Sequence, residues 1–539
     1  MKQEKAASAT ATSSPLSPGF NERAYLHAHP DVAAAIVRGD VESGRDHFLK
    51  YGSQEGRDSL NPALDPLDQL VIASTARELN SRPSLAHFLE TIIVSRSGGV
   101  FVVGWVDDSE SPLERIRLTA ADWRLSMDGR SLARVRRADV EDALGKPISH
   151  SFGYFGFLFA DRSLQRVGEV KAEIITKSGE TAECQCQVRM VEDLELRDIA
   201  LQYLAEAHHF GNQQIKGIAC IDRAIGQQLI NLNTHITANI TATPYVEWFG
   251  TDIKKPKGSI IVCLYGKAEY LFLQNALHSQ AKGIEDYEFI YVSNSPELAE
   301  RLLNDARASS LLYGINQAVV VLPGNAGFGA ANNAAARASR SGRVIIMNPD
   351  VFPRERDWAA KHSALLASQP AVQTKLFGIP LYYDDGSLMH GGMYFELDKG
   401  LSIEGFTMHQ SHLVRVEHYG KGAPGKGSEF ARPRAVPAVT GAFISAERDW
   451  YEELGGFTED YIFGHYEDGD LCLKSMERGV APWLQDLHLW HLEGKGSTRR
   501  PVHEGGSLVN RWMFSTRWGA TVMDGLLGPN PTHKLLKAG

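Results

Sequence analysis

Three groups of polar residues in the second half of the chain have the types and order needed to handle a diphosphate and an alcohol. An apolar run ends in an Asn-Pro-Asp turn at 348–350, an acidic cluster at 467–470 opens a helical pattern, and His491 follows. A carboxylate at a strand end can share a divalent cation with a diphosphate, and a second carboxylate can deprotonate a hydroxyl group. The combination predicts sugar transfer from a nucleotide-sugar.

Each group also has a purely structural interpretation. An Asp in such a turn commonly caps a helix or closes the turn, and acids in the first turn of a helix stabilise its dipole by only ~0.3–1 kcal/mol each. Three acids in four residues at 467–470 exceed what capping requires. A lone histidine is usually structural, but His491 follows an apolar run and precedes a glycine-rich segment, which favours a metal or phosphate role.

A glycine-rich segment at 324–333 follows one apolar run and opens a helical pattern. Its glycines are expected to let the backbone approach a ligand, and the start of a helix favours an anion. A dinucleotide fingerprint is a rival interpretation, because Gly327-x-Gly329 is present and Asp350 lies about twenty residues further on. Asn332 stands where the third glycine of that fingerprint would be.

Bulk composition describes an acidic, globular chain. The 539 residues carry a formal net charge of −9, and 43% of them are apolar. Broad nucleic-acid binding needs a basic surface, so we expect no nucleic-acid partner, whereas a small nucleotide needs only a local site. Five scattered cysteines are typical of a reducing compartment. No apolar run reaches the ~18 residues needed to span a bilayer, so we expect a cytoplasmic protein that can still associate with the inner face of the plasma membrane.

Changes in hydrophobic period divide the chain into segments. A period of two between about 91 and 191 predicts strands, and from about 256 short apolar runs alternate with helical patterns. That alternation predicts a mainly parallel sheet with ligands at the carboxyl ends of its strands. The predicted segments are a disordered tail at 1–19, an N-terminal helical module and linker at 20–90, a β-sandwich at 91–191, a helical linker at 192–255, a catalytic α/β domain at 256–525 and a C-terminal tail at 526–539.

The motifs and their order resemble those of family 2 glycosyltransferases with a GT-A fold, and most closely bacterial polysaccharide and rhamnosyl-type transferases. The resemblance covers about residues 256–505. Segments similar to family motifs lie at 325–332, 348–350, 385–391, 439–442, 455–457, 467–474 and 491–497. The implied fold class is α/β, with a GT-A nucleotide-sugar-binding domain preceded by a helical module and a small β-sandwich.

The resemblance also implies roles for individual residues. It makes Asp468 the catalytic base of an inverting transfer, and it makes Asp350 and His491 the ligands of a divalent metal, Mn or Mg. The residues that it places against the acceptor are Gly441, Glu467 and Asp470. The residues that it places against the donor are Tyr265, Ser293, Asn294, Asn325, Gly327, Gly329, Asn332, Asn348 and Asp350.

Two positions depart from the family pattern. Ser293 stands where the family usually has an Asp that contacts the nucleobase, and Asn348 replaces the first Asp of the metal motif. The expected partners are a nucleotide-sugar donor and a bacterial surface-polysaccharide or lipid-linked glycan acceptor. Two other functions stay open at this point. One is a catalytically inactive glycan-binding or scaffolding protein, and the other is a nicotinamide-dependent oxidoreductase.

Overall fold

The structure is a computed structural model. It describes residues 85–527, except 147–150, 165–167, 209–217, 219–220, 398–412 and 495–499, together with single positions between 29 and 51. The predicted tail at 1–19, most of the predicted helical module at 20–90 and the C-terminal tail from 528 lie outside the described residues. Within the described part, no helix is both long and apolar enough to cross a lipid bilayer.

The first described unit consists of two packed sheets. Its elements are β1 (His87–Ser95), β2 (Gly99–Val106), β3 (Leu113–Thr119), β4 (Arg124–Asp128), β5 (Ala133–Val135), α1 (Ala138–Leu144), β6 (Gly153–Phe159), β7 (Glu169–Thr176), β8 (Thr181–Gln187) and β9 (Arg189–Val191). One sheet has the order β5-β6-β2-β1-β9 and the other β4-β3-β7-β8. Alternating apolar residues of both sheets, such as Ile92, Val102, Ile116 and Ile174, share one core.

Two helices and a strand connect this unit to the larger sheet. They are α2 (Asp193–His208), α3 (Gly226–Thr241) and β10 (Tyr245–Phe249). Leu196 of α2 and Leu229 of α3 lie in one apolar core with Phe101 of the first unit. Residues Tyr245–Phe249 pair antiparallel with Gln317–Val321. The prediction of a helical linker over 192–255 is therefore wrong at its end, where Tyr245–Phe249 form a strand. This strand depends on a pairing partner that is distant in sequence.

The larger sheet is built around four parallel strands. Its first elements are β11 (Gly258–Leu264), α4 (Glu269–His278), β12 (Tyr287–Ser293), α5 (Ala299–Tyr313), β13 (Gln317–Val321), α6 (Gly327–Ala338) and β14 (Arg343–Met347). The parallel order is β13-β12-β11-β14. Because β12 and β14 lie on opposite sides of β11, the winding reverses there. Such a reversal opens a ligand crevice at the carboxyl ends of β11 and β14.

The remaining elements extend this sheet and cover its carboxyl edge. They are β15 (Val351–Pro353), α7 (Trp358–Ser368), α8 (Ala371–Thr374), β16 (Leu376–Gly378), β17 (Leu381–Tyr382), β18 (Leu388–His390), β19 (Met393–Leu397), β20 (Val414–His418), β21 (Arg434–Ala435), β22 (Phe443–Glu447), α9 (Arg448–Glu453), α10 (Glu467–Glu477), β23 (Trp483–Leu484), β24 (Leu489–His491) and α11 (Pro501–Leu527). The described strands of the larger sheet have the order β10-β13-β12-β11-β14-β22-β16-β23-β21. A smaller sheet has the order β15-β24-β17-β18, and its strand β15 follows β14 after a three-residue turn. Helix α11 packs on α2 and β20.

Candidate active site

A buried carboxylate and a buried imidazole meet beyond the end of β14. Strand β15 pairs with β24 so that Val351 lies opposite His491. Asp350, the residue before Val351, therefore faces the histidine, and Asp350 Oδ1 lies 3.3 Å from His491 Nε2. Both side chains are buried, at 2% and 5% exposure. The pairing of two short strands thus brings together the two residues predicted as metal ligands.

The donor set of this pair fits a divalent cation. One carboxylate and one imidazole are ligands that Mn²⁺ accepts, and His491 Nδ1 is buried without a hydrogen-bond partner. Among the described residues, no three His, Cys, Asp or Glu side chains converge into a complete metal site. A cation held by Asp350 and His491 would therefore need further ligands from a bound molecule, as is usual for a cation that bridges protein and phosphate.

The turn that carries Asp350 is fixed from helix α4. Gln274 is fully buried, and its Nε2 donates to the carbonyl oxygens of Asn348, Pro349 and Val351 at 2.9, 3.0 and 3.2 Å. The backbone N–H of Asn348 donates to the carbonyl of Ala442 at 3.0 Å. Sequence reasoning missed Gln274, because no motif marks a glutamine whose partners lie more than seventy residues away.

Asp468 is held at the first turn of α10 by backbone donors. Its Oδ2 accepts the Gly441 N–H at 2.9 Å, and its Oδ1 accepts the Gly469 N–H at 2.8 Å. The side chain stays half-buried, in contrast to Glu467 and Asp470 on either side. Gly441 was predicted to contact the acceptor, but its N–H is committed to Asp468. The structure therefore gives Asp468 a fixed orientation with access to a ligand, as a general base requires.

The segment before α10 is strained. Phe463, His465 and Tyr466 have φ values of +61°, +81° and +77°. Asp161 is the remaining non-glycine residue with positive φ in the described part of the chain. Such conformations cost about 1–3 kcal/mol each and cluster at functional sites, where the surrounding structure holds them in place. The strain therefore singles out the segment that delivers Asp468.

Asn510 of α11 stabilises this strained segment. Its Oδ1 accepts the Ile462 N–H at 2.8 Å, and its Nδ2 donates to the carbonyls of Ile462, Gly464 and His465 at 2.9, 2.7 and 3.3 Å. The side chain is fully buried. No sequence motif indicated this residue, because it lies more than forty residues beyond the backbone that it holds.

Replacing Asn510 with alanine is expected to lower the free energy of unfolding by about 2–3 kcal/mol, because buried backbone groups lose their partners. Amide hydrogen exchange should accelerate in residues 461–468. Urea unfolding and exchange mass spectrometry measure the two effects. Asn239→Ala, which removes an exposed asparagine from α3, is the matched control and should change neither. Unchanged exchange in 461–468 would show that Asn510 does not hold the segment.

Glu467 is buried with an unpaired carboxyl oxygen. It is 6% exposed, and its Oε2 has no hydrogen-bond partner. Burial is the largest cause that raises the pKa of Glu467 to about 8, and the charges of Asp468 and Asp470 add to it. A neutral Glu467 beside Asp468 leaves one negative charge rather than two next to the crevice. Its predicted contact with the acceptor stays a prediction.

This pKa leads to a test of stability against pH. The folded protein keeps the Glu467 proton up to about pH 8, whereas the unfolded chain releases it near 4.5. The stabilisation is therefore complete below pH 4.5 and is lost as the pH rises through 8, with a slope of at most ~1.4 kcal/mol per pH unit. Glu467→Gln, which mimics the neutral acid, should lack this slope in urea unfolding between pH 6 and 8. Parallel curves for both proteins would contradict the raised pKa.

Asp470 has a structural role instead of the predicted acceptor contact. It is fully buried, and its carboxylate accepts from Thr458 Oγ1 at 2.6 Å and from Trp518 Nε1 at 2.8 Å. Arg517 Nε and Lys474 Nζ lie 3.3 and 3.4 Å from its oxygens. A carboxylate surrounded by these groups has no oxygen left for an acceptor. It ties α10 to α11 and to the loop before α10.

The glycine-rich segment packs on protein. Gly327 has a φ of +81°, and a Cβ there would lie 3.1 Å from the Phe463 backbone nitrogen. A Cβ on Gly329 would lie 3.2 Å from Phe457 Cβ. The glycines thus allow α6 to lie close to the strained segment. The groups that come close to them belong to Phe463 and Phe457, whereas the sequence predicted a ligand there. The same packing gives no support to a dinucleotide fingerprint.

The polar residues predicted around these glycines mostly serve the fold. The Ser293 hydroxyl donates to the Ser295 carbonyl, and Asn294 bridges the Ala326 N–H and the Gly327 carbonyl. Asn332 Nδ2 donates to the Phe328 carbonyl within α6, and Asn325 Oδ1 accepts the Gly327 N–H. Ser293, Asn294 and Asn332 are at most 3% exposed, so their side chains are corrected from donor contacts to structural groups. Tyr265, directly after β11, stays half-exposed.

His418 is a half-buried histidine at the end of β20. Burial is the largest cause that lowers its pKa, Asp468 opposes the shift, and His491 adds to it. The geometric link between the two halves of the site is the pair Gly441-Ala442, since the Gly441 N–H donates to Asp468 and the Ala442 carbonyl accepts the N–H of Asn348, two residues before Asp350. His418 Nδ1 lies 2.9 Å from His390 Nδ1, which anchors β20 to β18. No sequence motif pointed to His418.

Comparisons with known proteins leave the family open. No protein-family model matches the chain. An uncharacterized protein, y4gI of Sinorhizobium fredii (strain NBRC 101917 / NGR234), is 31% identical over 168 residues, which cover 30% of this chain. The chain spans 17% of the length of that curated relative.

Two solved structures show a distant likeness. The mannosyltransferase PcManGT from Pyrobaculum calidifontis, in complex with GDP-Man and Mn²⁺, is 16% identical with a TM-score of 0.32, covering 64% of this chain and 91% of that chain. GalNAc-T7 with UDP, GalNAc and Mn²⁺ is 15% identical with a TM-score of 0.37, covering 52% and 54%. Both TM-scores lie below 0.5.

Proposed function

We propose that this chain is a GT-A-type glycosyltransferase that moves a sugar from a nucleotide-diphospho-sugar to a hydroxyl group with inversion. The observation that carries the proposal is the buried Asp350–His491 pair at the carboxyl end of the sheet, linked through Gly441 and Ala442 to a half-buried, oriented Asp468. The first can hold a cation and the second can accept a proton, which are the two functions that glycosyl transfer needs.

Asp350 and His491 would hold a divalent cation, Mn²⁺ or Mg²⁺, which when bound neutralises charge on the diphosphate. The remaining chemistry belongs to the protein and the substrates. Asp468 takes the proton of the acceptor hydroxyl while that oxygen forms a bond to the anomeric carbon. The bond between the anomeric carbon and the diphosphate oxygen breaks, and its electron pair leaves with the nucleoside diphosphate. One in-line displacement inverts the anomeric configuration.

The structure supports this division of roles. The Gly441 and Gly469 N–H groups aim the Asp468 carboxylate, and Gln274 fixes the turn of Asp350. Burial raises the pKa of Glu467 to about 8 and so keeps this side chain neutral at pH 7. We further propose that the acceptor is a bacterial surface-polysaccharide or lipid-linked glycan, and that the domain of two sheets holds this acceptor or a partner protein. In this proposal the protein works in the cytoplasm, at the inner face of the membrane.

Thermal unfolding of the full chain with nucleoside diphosphates tests the proposal. With Mn²⁺ present, at least one of UDP, GDP, dTDP, CDP and ADP should raise Tm, since a ligand at 100 times its Kd stabilises by ~2.7 kcal/mol. EDTA should remove most of the shift, and the nucleoside monophosphate of the same base serves as the matched ligand with a smaller effect. If no nucleoside diphosphate raises Tm with Mn²⁺, the proposed function is wrong.

A further inference from the structure

The N-terminal end of α11 brings a histidine to the carboxyl end of the central strand. The ring of His503 meets the ring of Tyr265 edge-on, with centroids 5.8 Å apart and planes at 85°. It meets Phe463 in the same manner at 5.0 Å. Tyr265 directly follows β11, where the reversal of the sheet opens the crevice. His503 therefore borders the crevice at β11, while Asp350 follows the neighbouring strand β14.

One nitrogen of His503 has a fixed role. The backbone N–H of Arg500 donates to His503 Nδ1 at 2.8 Å, so Nδ1 is an acceptor and the proton of the neutral ring sits on Nε2. Burial, the largest cause, lowers the pKa of His503; Arg500 and His465 add to this shift and Asp198 opposes it. The ring is therefore neutral near pH 7. Its Nε2–H has no acceptor among the residues that the structure describes.

The polar side chains at the end of β12, the strand next to β11, are committed to the backbone. Ser293, at the end of β12, is fully buried and spends its hydroxyl proton on the Ser295 carbonyl. Asn294 is likewise committed to the backbone at Ala326 and Gly327. A base bound near Tyr265 would thus find its side-chain hydrogen-bond donor on α11 and not on β12.

We propose that His503 is a specificity-determining residue whose Nε2–H donates to the carbonyl oxygen at position 4 of a pyrimidine, or at position 6 of a purine, in the donor nucleotide. This inference rests on the proposed function and adds the class of nucleotide to it. Uracil and thymine present a carbonyl oxygen at position 4, and guanine presents one at position 6, whereas cytosine and adenine carry an amino group there. An N–H group at this position can donate a hydrogen bond to the carbonyl oxygen of uracil, thymine or guanine. It cannot donate to the amino group that cytosine and adenine carry there. The donor is therefore a uridine, thymidine or guanosine diphospho-sugar.

Two pairs of ligands test this inference on the full chain. Isothermal titration with Mn²⁺ compares UDP with CDP and GDP with ADP. The two nucleotides of each pair differ mainly in whether a carbonyl or an amino group would face the Nε2–H of His503. If the site accepts pyrimidines, UDP should bind at least about tenfold more tightly than CDP, and if it accepts purines, GDP should bind at least about tenfold more tightly than ADP. The loss of one buried hydrogen bond implies a difference of this size. Equal affinities within both pairs would overturn the inference, whichever variants fold.

His503→Phe isolates the contribution of the N–H. Phenylalanine keeps the ring contacts with Tyr265 and Phe463 but cannot donate. The variant should bind UDP or GDP more weakly than the wild type does, and so lose most of the preference over CDP or ADP. Its affinity for CDP or ADP should stay within about twofold of the wild type. His503→Gln, which retains an N–H donor, should recover part of the preference. A preference that persists in His503→Phe would assign the discrimination to another residue and overturn the inference. Failure of every nucleoside diphosphate to bind the wild type would reject the proposed function itself, and this inference with it.

Discussion

Replacing Asp468 with asparagine is expected to reduce sugar transfer by about 10²–10⁴-fold while leaving donor affinity within a few-fold. The amide keeps the shape of the carboxylate but cannot take the proton of the acceptor hydroxyl, and general-base catalysis is worth this factor. The contacts of Asp468 are with Gly441 and Gly469 and not with the turn of Asp350, so the donor site should persist. Initial rates and titration with the nucleoside diphosphate measure the two quantities.

Asp449→Asn is the matched control for this prediction. Asp449 is an exposed acid in the first turn of α9, so the same chemical change occurs at an equivalent helical position away from the crevice. Its transfer rate should equal that of the wild type. If Asp468→Asn retained activity within threefold of the wild type, Asp468 would not be the base.

Replacing Asp350 with alanine is expected to weaken binding of the nucleoside diphosphate by at least ~10–100-fold with Mn²⁺ and to change it little in EDTA. Losses of this size follow even from groups that only support a metal ligand. The metal dependence arises because Asp350 would act on the diphosphate through the cation. His491→Ala should behave in the same way, since Asp350 Oδ1 and His491 Nε2 lie 3.3 Å apart. Titrations with Mn²⁺ and with EDTA give the ratio.

Asp357→Ala removes a half-exposed carboxylate that pairs with Lys361 and should leave both titrations unchanged. An equal loss with Mn²⁺ and with EDTA for Asp350→Ala would mean that Asp350 maintains the fold of the turn and holds no cation. The cooperative melting curve of each variant separates this result from general unfolding.

The strands of the larger sheet were predictable because their signal is local. Runs such as 260–262 and 344–347 are apolar on both faces, as expected for strands covered on both sides by helices. The strand at Tyr245–Phe249 was not predicted, because its pairing partner Gln317–Val321 lies some seventy residues away. Local patterns therefore located the crevice but not the edge of the sheet.

The acidic cluster shows where sequence reasoning reaches its limit. Asp468 and Asp470 are two residues apart, so a helix points them about 200° apart around its axis. The first faces the crevice and the second lies under α11 with Trp518. Composition marks both as candidates, and only the position of α11 separates them. Gln274, Asn510 and His503 were missed for the same reason, since each acts on backbone or rings that are distant in sequence.

Glycines present a related ambiguity. Gly327 and Gly329 look the same in sequence whether a ligand or another chain segment approaches them. In this fold the approaching groups are Phe463 and Phe457. The distinction depends on which loop covers the start of α6, which is a property of the tertiary structure.

Release of nucleoside diphosphate from a panel of nucleotide-sugars tests the central claim most directly. The wild-type chain with Mn²⁺ and without an acceptor should consume at least one sugar donor slowly, because water can replace the acceptor hydroxyl in front of Asp468. Asp468→Asn should bind the same donor with similar affinity and release at least about a hundredfold less nucleotide. If the wild type binds a nucleotide-sugar but releases no more nucleotide from any donor than Asp468→Asn does, the chain is a binding protein and the proposed transfer is wrong.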